Sequence, residues 1–349
     1  MAKPANVRTR MPGPAGGLSI AATNLRRRGL LVASSIAAAS SALQAAAQAP
    51  YPSRPVQLLV PWAAGGGTDA VARMIGSLLE RDLRQPVIVV NRTGGSGVVG
   101  HAAIANASPD GHTIGMLTLE IAMLHWTGLT ELTPRSYTPL ALMNQDAAGL
   151  LVNASSPYTD LRALAEALRA APPRRIKATG SGRGGSWHLA FVGWLRALGL
   201  GADHVLWVPV EGAALGMQEL AAGGVDLAAC SLPEGKGMID ARRVRPLAVM
   251  APERNAAFPA VPTLKEALGL DHVAGLWRGI AGPPNLPEEV RHTLGAALDR
   301  AYRSEEFGRF MAMRGFGTTF ADGAGFAAFM DRSDQAMGQT LRDVGLARS

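Results

Sequence analysis

The chain has 349 residues, 48% of them hydrophobic, and a formal net charge of +7. That length exceeds what one compact core usually holds, so two domains are the default. The charge points to nucleic acid only until it is located. Lys3, Arg8, Arg10, Arg26, Arg27 and Arg28 all fall in the first fifty residues, which contain no acid, and the remainder carries 28 basic against 27 acidic residues. The body of the protein lacks the electrostatic footprint of a nucleic-acid partner, and none is expected.

The basic leader has the organisation of an export signal. "LRRRG" is its charged region, "LLVASSIAAASSAL" its apolar stretch, and "AAAQA" its small-residue cleavage site. Cleavage after Ala47 or Ala49 is expected, which makes residues 1–49 a signal peptide and places the mature protein in the periplasm. The arginine run suits either the general or the twin-arginine route, and Met11 is a second candidate start. The apolar stretch is too short and too alanine-rich for a membrane span. Cys230 is the only cysteine, so no intramolecular disulfide can form. It lies past the cleavage site, which excludes a lipid anchor, and it reads as a half-buried strand-end residue rather than a nucleophile.

"PVQLLV" (Pro55–Val60) opens the mature chain as a buried strand, and from Thr68 onward Ala70, Val71, Met74, Ile75, Leu78 and Leu79 repeat at helical spacing. Between them lie Gly65, Gly66 and Gly67. One reading is a tight strand-to-helix turn capped by Thr68 or Asp69. The other is a helix N-terminus left open for an anion. The pattern returns twice. A strand at Val87–Val90 leads into Gly94, Gly95, Gly97 and Gly100, and a strand at Ile176–Ala178 leads into Gly180, Gly182, Gly184 and Gly185 with a helix from about Ser186. Further strands are expected at "HTIGMLTL", "LALMNQ", "GLLVNA", "HVLWVPV", "VDLAACSL" and "RPLAVMA". The alternation predicts an α/β fold with largely parallel sheets, whose ligands sit at the carboxyl ends of the strands where these loops lie.

Other chemistry is sparse. Two loops match G-x-G-x-x-G, but a dinucleotide site also wants an acid at the end of the next strand. Glu211 is the sole candidate after the second match and comes late. The seven histidines show no metal-ligand spacing, so no metal and no cofactor is expected. In "GGSWHL", Ser186 reads as a helix cap and His188 as a first-turn residue in preference to a catalytic pair.

Taken together, "YPSRPVQLLVPWAAGGGTDAVAR", "QPVIVVNRTGGSGVVG", "SPDGHT", "GSGRGGSWHLA", "VPVEG", "GGVDL" and "WRGIAGPPNLP" occur in the order of the Bug family. The chain resembles these periplasmic solute-binding proteins of tripartite tricarboxylate transporters from Tyr51 to about Gly345. The resemblance implies a two-lobed periplasmic-binding-protein-like fold with two crossovers and a ligand cleft between the lobes. The first lobe would comprise residues 50–152 and 275–349 and the second residues 153–274, with crossovers near Leu151–Ala154 and Ala274–Ile280. It further implies a monomer that holds a small organic acid and passes it to membrane permease subunits. The acid would be bound through Trp62, Ala63 and the Gly65–Gly67 loop of one lobe, and through Ser181, Gly182, Arg183, Gly184, Gly185 and Ser186 of the other. Asp69 would brace the first loop rather than touch the anion.

The chain departs from the family pattern beside the cleft. Glu211 stands in place of a base, Cys230 and Ser231 in place of Asp-Asn, and Glu120 where a Ser/Thr-rich loop is usual; Arg183 replaces a small residue and Trp62 a phenylalanine. Two added acids would repel a second ligand carboxylate unless Arg183 or a ligand cation offsets them. The expected function is therefore binding without catalysis. The competing readings are an exported enzyme, either nucleotide-dependent or a hydrolase using Ser186 and His188, and a ligand-sensing signalling module.

Overall fold

The computed structural model describes residues 51–348; the expected signal peptide lies outside them. In chain order the elements are β1 (Val56–Val60), α1 (Gly67–Leu83), β2 (Val87–Asn91), α2 (Val98–Ala105), β3 (Thr113–Thr118), β4 (Thr138–Ala147), β5 (Gly149–Asn153), α3 (Leu161–Ala170), β6 (Lys177–Thr179), α4 (Ser186–Ala197), β7 (Leu206–Trp207), α5 (Ala213–Ala222), β8 (Leu227–Cys230), α6 (Leu232–Asp240), β9 (Val244–Val249), α7 (Leu264–Leu268), β10 (Gly275–Gly282), α8 (Glu288–Arg303), α9 (Glu305–Arg314), β11 (Thr318–Asp322) and α10 (Gly323–Asp343). A one-turn 3-10 segment, Leu119–Ala122, follows β3. No helix among the described residues is long and apolar enough to cross a membrane.

The strands form two sheets, in the orders β11-β4-β10-β3-β1-β2 and β7-β6-β8-β5-β9. The chain leaves the first sheet at the end of β4 and enters the second at Gly149, so the exchange occurs at Ala148. It returns through the segment before β10. The two passages are laced together at one point. Ala148 N donates to Ala274 O (2.8 Å), Met250 N to Ala148 O (2.7 Å) and Ala274 N to Met250 O (3.1 Å).

The sheets are mixed rather than largely parallel. The strands that precede and follow a crossover helix, β1 with β2 and β3 and β6 with β7 and β8, pair in parallel. The strands next to the passages between sheets pair antiparallel: β10 with β3 and β4, β11 with β4, and β5 with β8 and β9. A parallel pair needs a helical crossover within one sheet, whereas β5 and β10 arrive directly from the other sheet.

Two cores result. One, with Leu58, Val71, Ile75, Leu79, Ile114 and Leu298, belongs to the first sheet alone. The other runs from first-sheet residues Leu59, Leu117 and Leu142 into the second sheet, where it includes Leu150, Leu164, Phe191, Trp194, Leu227 and Cys230. Each such aliphatic or aromatic side chain contributes about 1.5–3 kcal/mol on burial. Cys230 is fully buried, not half-buried, because β8 lies in the middle of its sheet with a neighbour on either side. Burial raises its thiol pKa well above the ordinary value, which makes it inert.

Two of the helices away from the glycine loops are capped by their own residues. Asp160 accepts from Ala163 N at the start of α3 (2.9 Å), and Asp322 from Gly325 N at the start of α10 (2.8 Å). The helices that begin at the glycine loops lack this. The N-caps of α1, α4 and α5 are Gly66, Gly185 and Gly212, none of which carries a capping side chain.

Candidate functional site

Those three uncapped helix starts converge on one small cavity between the sheets. Trp62, Ala63, Gly66, Gly67 and Thr68 line it on the α1 side, Glu120, Ser181, Ser186 and Trp187 on the α4 side, and Gly212, Ala213 and Ala214 at the α5 start. Its volume is about 20 Å³, room for a single water molecule. The structure therefore describes a closed cleft, too small as it stands for a metabolite.

On the α1 side the loop is held from within. Gly65, at φ +85°, adopts a left-handed conformation that glycine tolerates best. Its N–H donates to Asp69 Oδ2 (2.9 Å), and Asp69 also accepts from Arg73 Nε (3.0 Å) and Asn91 Nδ2 (2.9 Å). Burial alone would raise the Asp69 carboxyl pKa, but the bonds from Arg73, Gly65 and Asn91 outweigh it and hold the group below its ordinary range. Asp69 is thus a brace turned away from the cavity.

The next donor, Gly67 N, points across the cleft to Glu234 Oε1 (3.3 Å) on α6 of the second sheet's region. The same oxygen accepts from Arg278 Nη2 (3.1 Å), and Glu234 Oε2 accepts from Ser231 N (3.3 Å). Arg278, on β10, is fully buried; its Nε donates to Thr68 Oγ1 (2.9 Å) and its Nη1 to Asn144 and Asp146. Burial raises the Glu234 carboxyl pKa, with Arg278 opposing and Asp146 reinforcing the shift. Only glycine fits at position 67, since a Cβ there would lie 2.7 Å from Glu234 Cγ and 2.8 Å from Arg278 Nη2.

The α4 side mirrors this with neutral partners. Ser186 N donates to Glu120 Oε1 (3.0 Å), and Thr118 Oγ1 donates to Glu120 Oε2 (2.6 Å). Trp62 Nε1 donates to the Thr118 hydroxyl (3.3 Å), and Thr118 N to His101 Nε2 (3.3 Å). The His101 proton therefore sits on Nδ1, which faces Gly97 O at 2.9 Å. Burial pushes the His101 pKa down to about 4 against the opposing pull of Glu120 and Gly97, so the ring is neutral at neutral pH. A third glutamate, Glu211, accepts from Gly94 N (3.2 Å). Each sheet thus supplies a carboxylate to a glycine loop of the other.

Of the residues singled out in the sequence, the structure brings Trp62, Ala63, Gly66, Gly67, Glu120, Ser181 and Ser186 to the cavity wall. Gly65 and Asp69 support that wall from behind. Gly182 and Gly185 close the turn before α4 through Gly185 N to Gly182 O (3.0 Å), and Gly184 N donates to His188 Nδ1 (3.1 Å). Ser231 lies behind Glu234, and Glu211 spans to the Gly94 loop. Arg183 points outward, 57% exposed and paired with Asp203 at 3.1 Å. It offsets neither cavity acid. Ser186 is the first helical residue of α4 rather than its cap, because the loop turns at Gly185 and the Ser186 N–H is taken by Glu120. The acceptor nitrogen of His188 is occupied by Gly184, its ring packs edge-on against Trp207, and burial, with Arg183 next, pushes its pKa down to about 4. It braces a loop. No cluster of metal-ligating side chains occurs among the described residues.

Thr68, Trp187, Ala213, Ala214, Glu234 and Arg278 were not legible as site residues. The Gly212–Ala213 junction carried a weak sign, a further glycine at a helix start. Glu234 and Arg278 carried none, since their partners lie far away in the sequence.

Two sheets joined by two passages, with glycine-led helix starts facing each other across a closed cleft, define a periplasmic-binding-protein fold. Residues 71–346 match the model of the tripartite tricarboxylate transporter family receptor, and the chain belongs to that family. It is 32% identical over 304 residues to a UPF0065 protein from the tcbD-tcbE intergenic region of Pseudomonas sp. strain P51, covering 86% of this chain and 89% of the relative. Among solved structures, the periplasmic binding protein BugD is 26% identical with a TM-score of 0.79, over 86% of this chain and all of BugD. An R. palustris protein solved with adipate is 25% identical with a TM-score of 0.80, over 85% of this chain and 99% of its own. The family and these neighbours are binding proteins and not enzymes.

Proposed function

We propose that this chain is a periplasmic receptor that captures a small carboxylate-bearing metabolite between two lobes. It then delivers that metabolite, as a monomer, to the membrane subunits of a tripartite tricarboxylate-type transporter. The lobes follow the two sheets, with the first crossover at Ala148 rather than at Leu151–Ala154: residues 51–148 with 275–348, and residues 149–274, hinged where Ala148, Met250 and Ala274 bond to one another. One observation carries the reading: three helix N-termini without side-chain caps of their own face a single cavity, two of them met by a glutamate from the opposite sheet and the α5 start met by none. Free N–H groups and the helix dipole favour an anion there, by about 0.3–1 kcal/mol per exposed terminus and more when enclosed. The adipate found with a neighbour of the same fold agrees with such a ligand. The binding groups are the backbone and side chains of the lining residues Trp62, Ala63, Gly66, Gly67, Ser181, Ser186 and Gly212–Ala214.

Native mass spectrometry of freshly purified periplasmic protein tests the proposal. The expected result is a mature N-terminus between Gln48 and Tyr51 and a co-purifying small acid bound one to one and released unchanged. An uncleaved cytoplasmic chain, or turnover of the bound acid, would overturn it.

A further inference from the structure

The three helix starts at the cavity are not equivalent. The α1 start is met by Glu234 through Gly67 N, and the α4 start by Glu120 through Ser186 N. Both carboxylates come from the opposite sheet, both are buried, and both line the cavity. The α5 start has no such partner. Gly212 is its N-cap without a side-chain cap, its first turn contains no acid, and Gly212, Ala213 and Ala214 all face the cavity. The cavity wall thus offers one uncovered anion seat and two fixed carboxylates. Its lining contains no basic side chain, because Arg183 is on the surface with Asp203 and Arg278 sits behind Glu234.

We infer that Glu120 and Glu234 determine specificity, and that the ligand is a monocarboxylate carrying a cationic nitrogen: its carboxylate at the α5 start and its ammonium facing the two glutamates. This rests on the receptor function proposed above and names the class of acid within it. A dicarboxylate would have to displace one glutamate from its backbone N–H and leave like charges side by side in a water-poor site. An ammonium instead meets two acceptors already in place. It also counters the desolvation that raises the Glu234 carboxyl.

Matched acid pairs test the inference by calorimetry on the mature protein: succinate with 4-aminobutanoate, glutarate with 5-aminopentanoate, and adipate with 6-aminohexanoate. At least one amino acid is expected to bind tenfold or more tightly than the diacid of its length. Glu120→Gln should narrow that ratio at least tenfold, by weakening the amino acid and strengthening the diacid. Opposite shifts of that kind cannot come from a general loosening of the fold. Glu234→Gln is the second variant, with circular dichroism as the folding control. A wild-type protein that prefers the diacid of every pair overturns the inference and leaves the receptor function standing. Binding of no member of either series, with hexanoate equally inert, overturns the inference together with the carboxylate reading on which it rests.

Discussion

The starts of α1 and α4 are both covered by a glutamate from across the cleft, but the two glutamates keep different company. Glu234 shares Arg278 with Asp146 in a cluster of three buried charges. Glu120 is held by a backbone N–H and a hydroxyl, with neutral His101 behind Thr118. A buried ion cluster gains little over an apolar substitute but collapses when one partner is removed, because the remaining charges stay buried without compensation. A carboxylate held by uncharged donors loses only the bonds deleted, each about 1.5–3 kcal/mol because the acceptor is charged. Geometrically similar halves of one cleft therefore stand on unequal energetic footings, and substitution separates them.

The largest expected effect is that of Arg278→Met, which leaves Asp146 and Glu234 facing each other in the interior. A loss of about 3–5 kcal/mol in urea unfolding is expected; a loss under about 1 kcal/mol would make the two sides equivalent. Titration distinguishes them next, because the signs oppose. His101 has a folded pKa of about 4 against an ordinary 6.5, so between these values the unfolded chain binds more protons. Its contribution to stability is complete above pH 6.5 and is lost as pH falls towards 4, at about 1.4 kcal/mol for each unit of displacement. Glu234 is displaced upward, so its contribution is present below the ordinary carboxyl range and is lost as pH rises through its folded value. Unfolding followed from pH 7 to pH 4 should show a shallower decline in His101→Gln and a steeper one in Glu234→Gln. A smaller effect is that of Gly67→Ala, whose added methyl group presses on Glu234 and Arg278. Overpacking of this kind costs about 1–3 kcal/mol. Ser186→Ala on the other side keeps the backbone donor and should cost less, which thermal denaturation of the pair would measure.

The sequence exposes the parts of this arrangement that depend on neighbours in the chain. The runs around β1–α1 and β6–α4 declare themselves because a strand, a glycine loop and a helical apolar repeat follow within about thirty residues. Strand β10 does not. "GLWRGIAG" has glycines and an arginine in the middle of an element buried along almost its whole length, and an arginine in a pattern reads as solvent-facing until its partners are known. Those partners, Asp146 and Glu234, are 132 and 44 residues away. Glu234 in turn looks like an ordinary first-turn acid of α6, and only the closing of one sheet against the other brings it to Gly67. Arg183 shows the converse: its place within a glycine loop suggested a cleft charge, but a surface partner, Asp203, holds it outside.

Two of the indole rings, those of Trp62 and Trp187, belong to the cavity wall and are 8% and 3% exposed. Trp62 is hydrogen-bonded through Thr118 to Glu120, so it reports on the carboxylate as well as on the solvent. Separation of the sheets would wet both rings at once and shift their emission to longer wavelength. The protein thereby carries an intrinsic optical signal of its own opening, readable in a stopped-flow mixer without any attached dye.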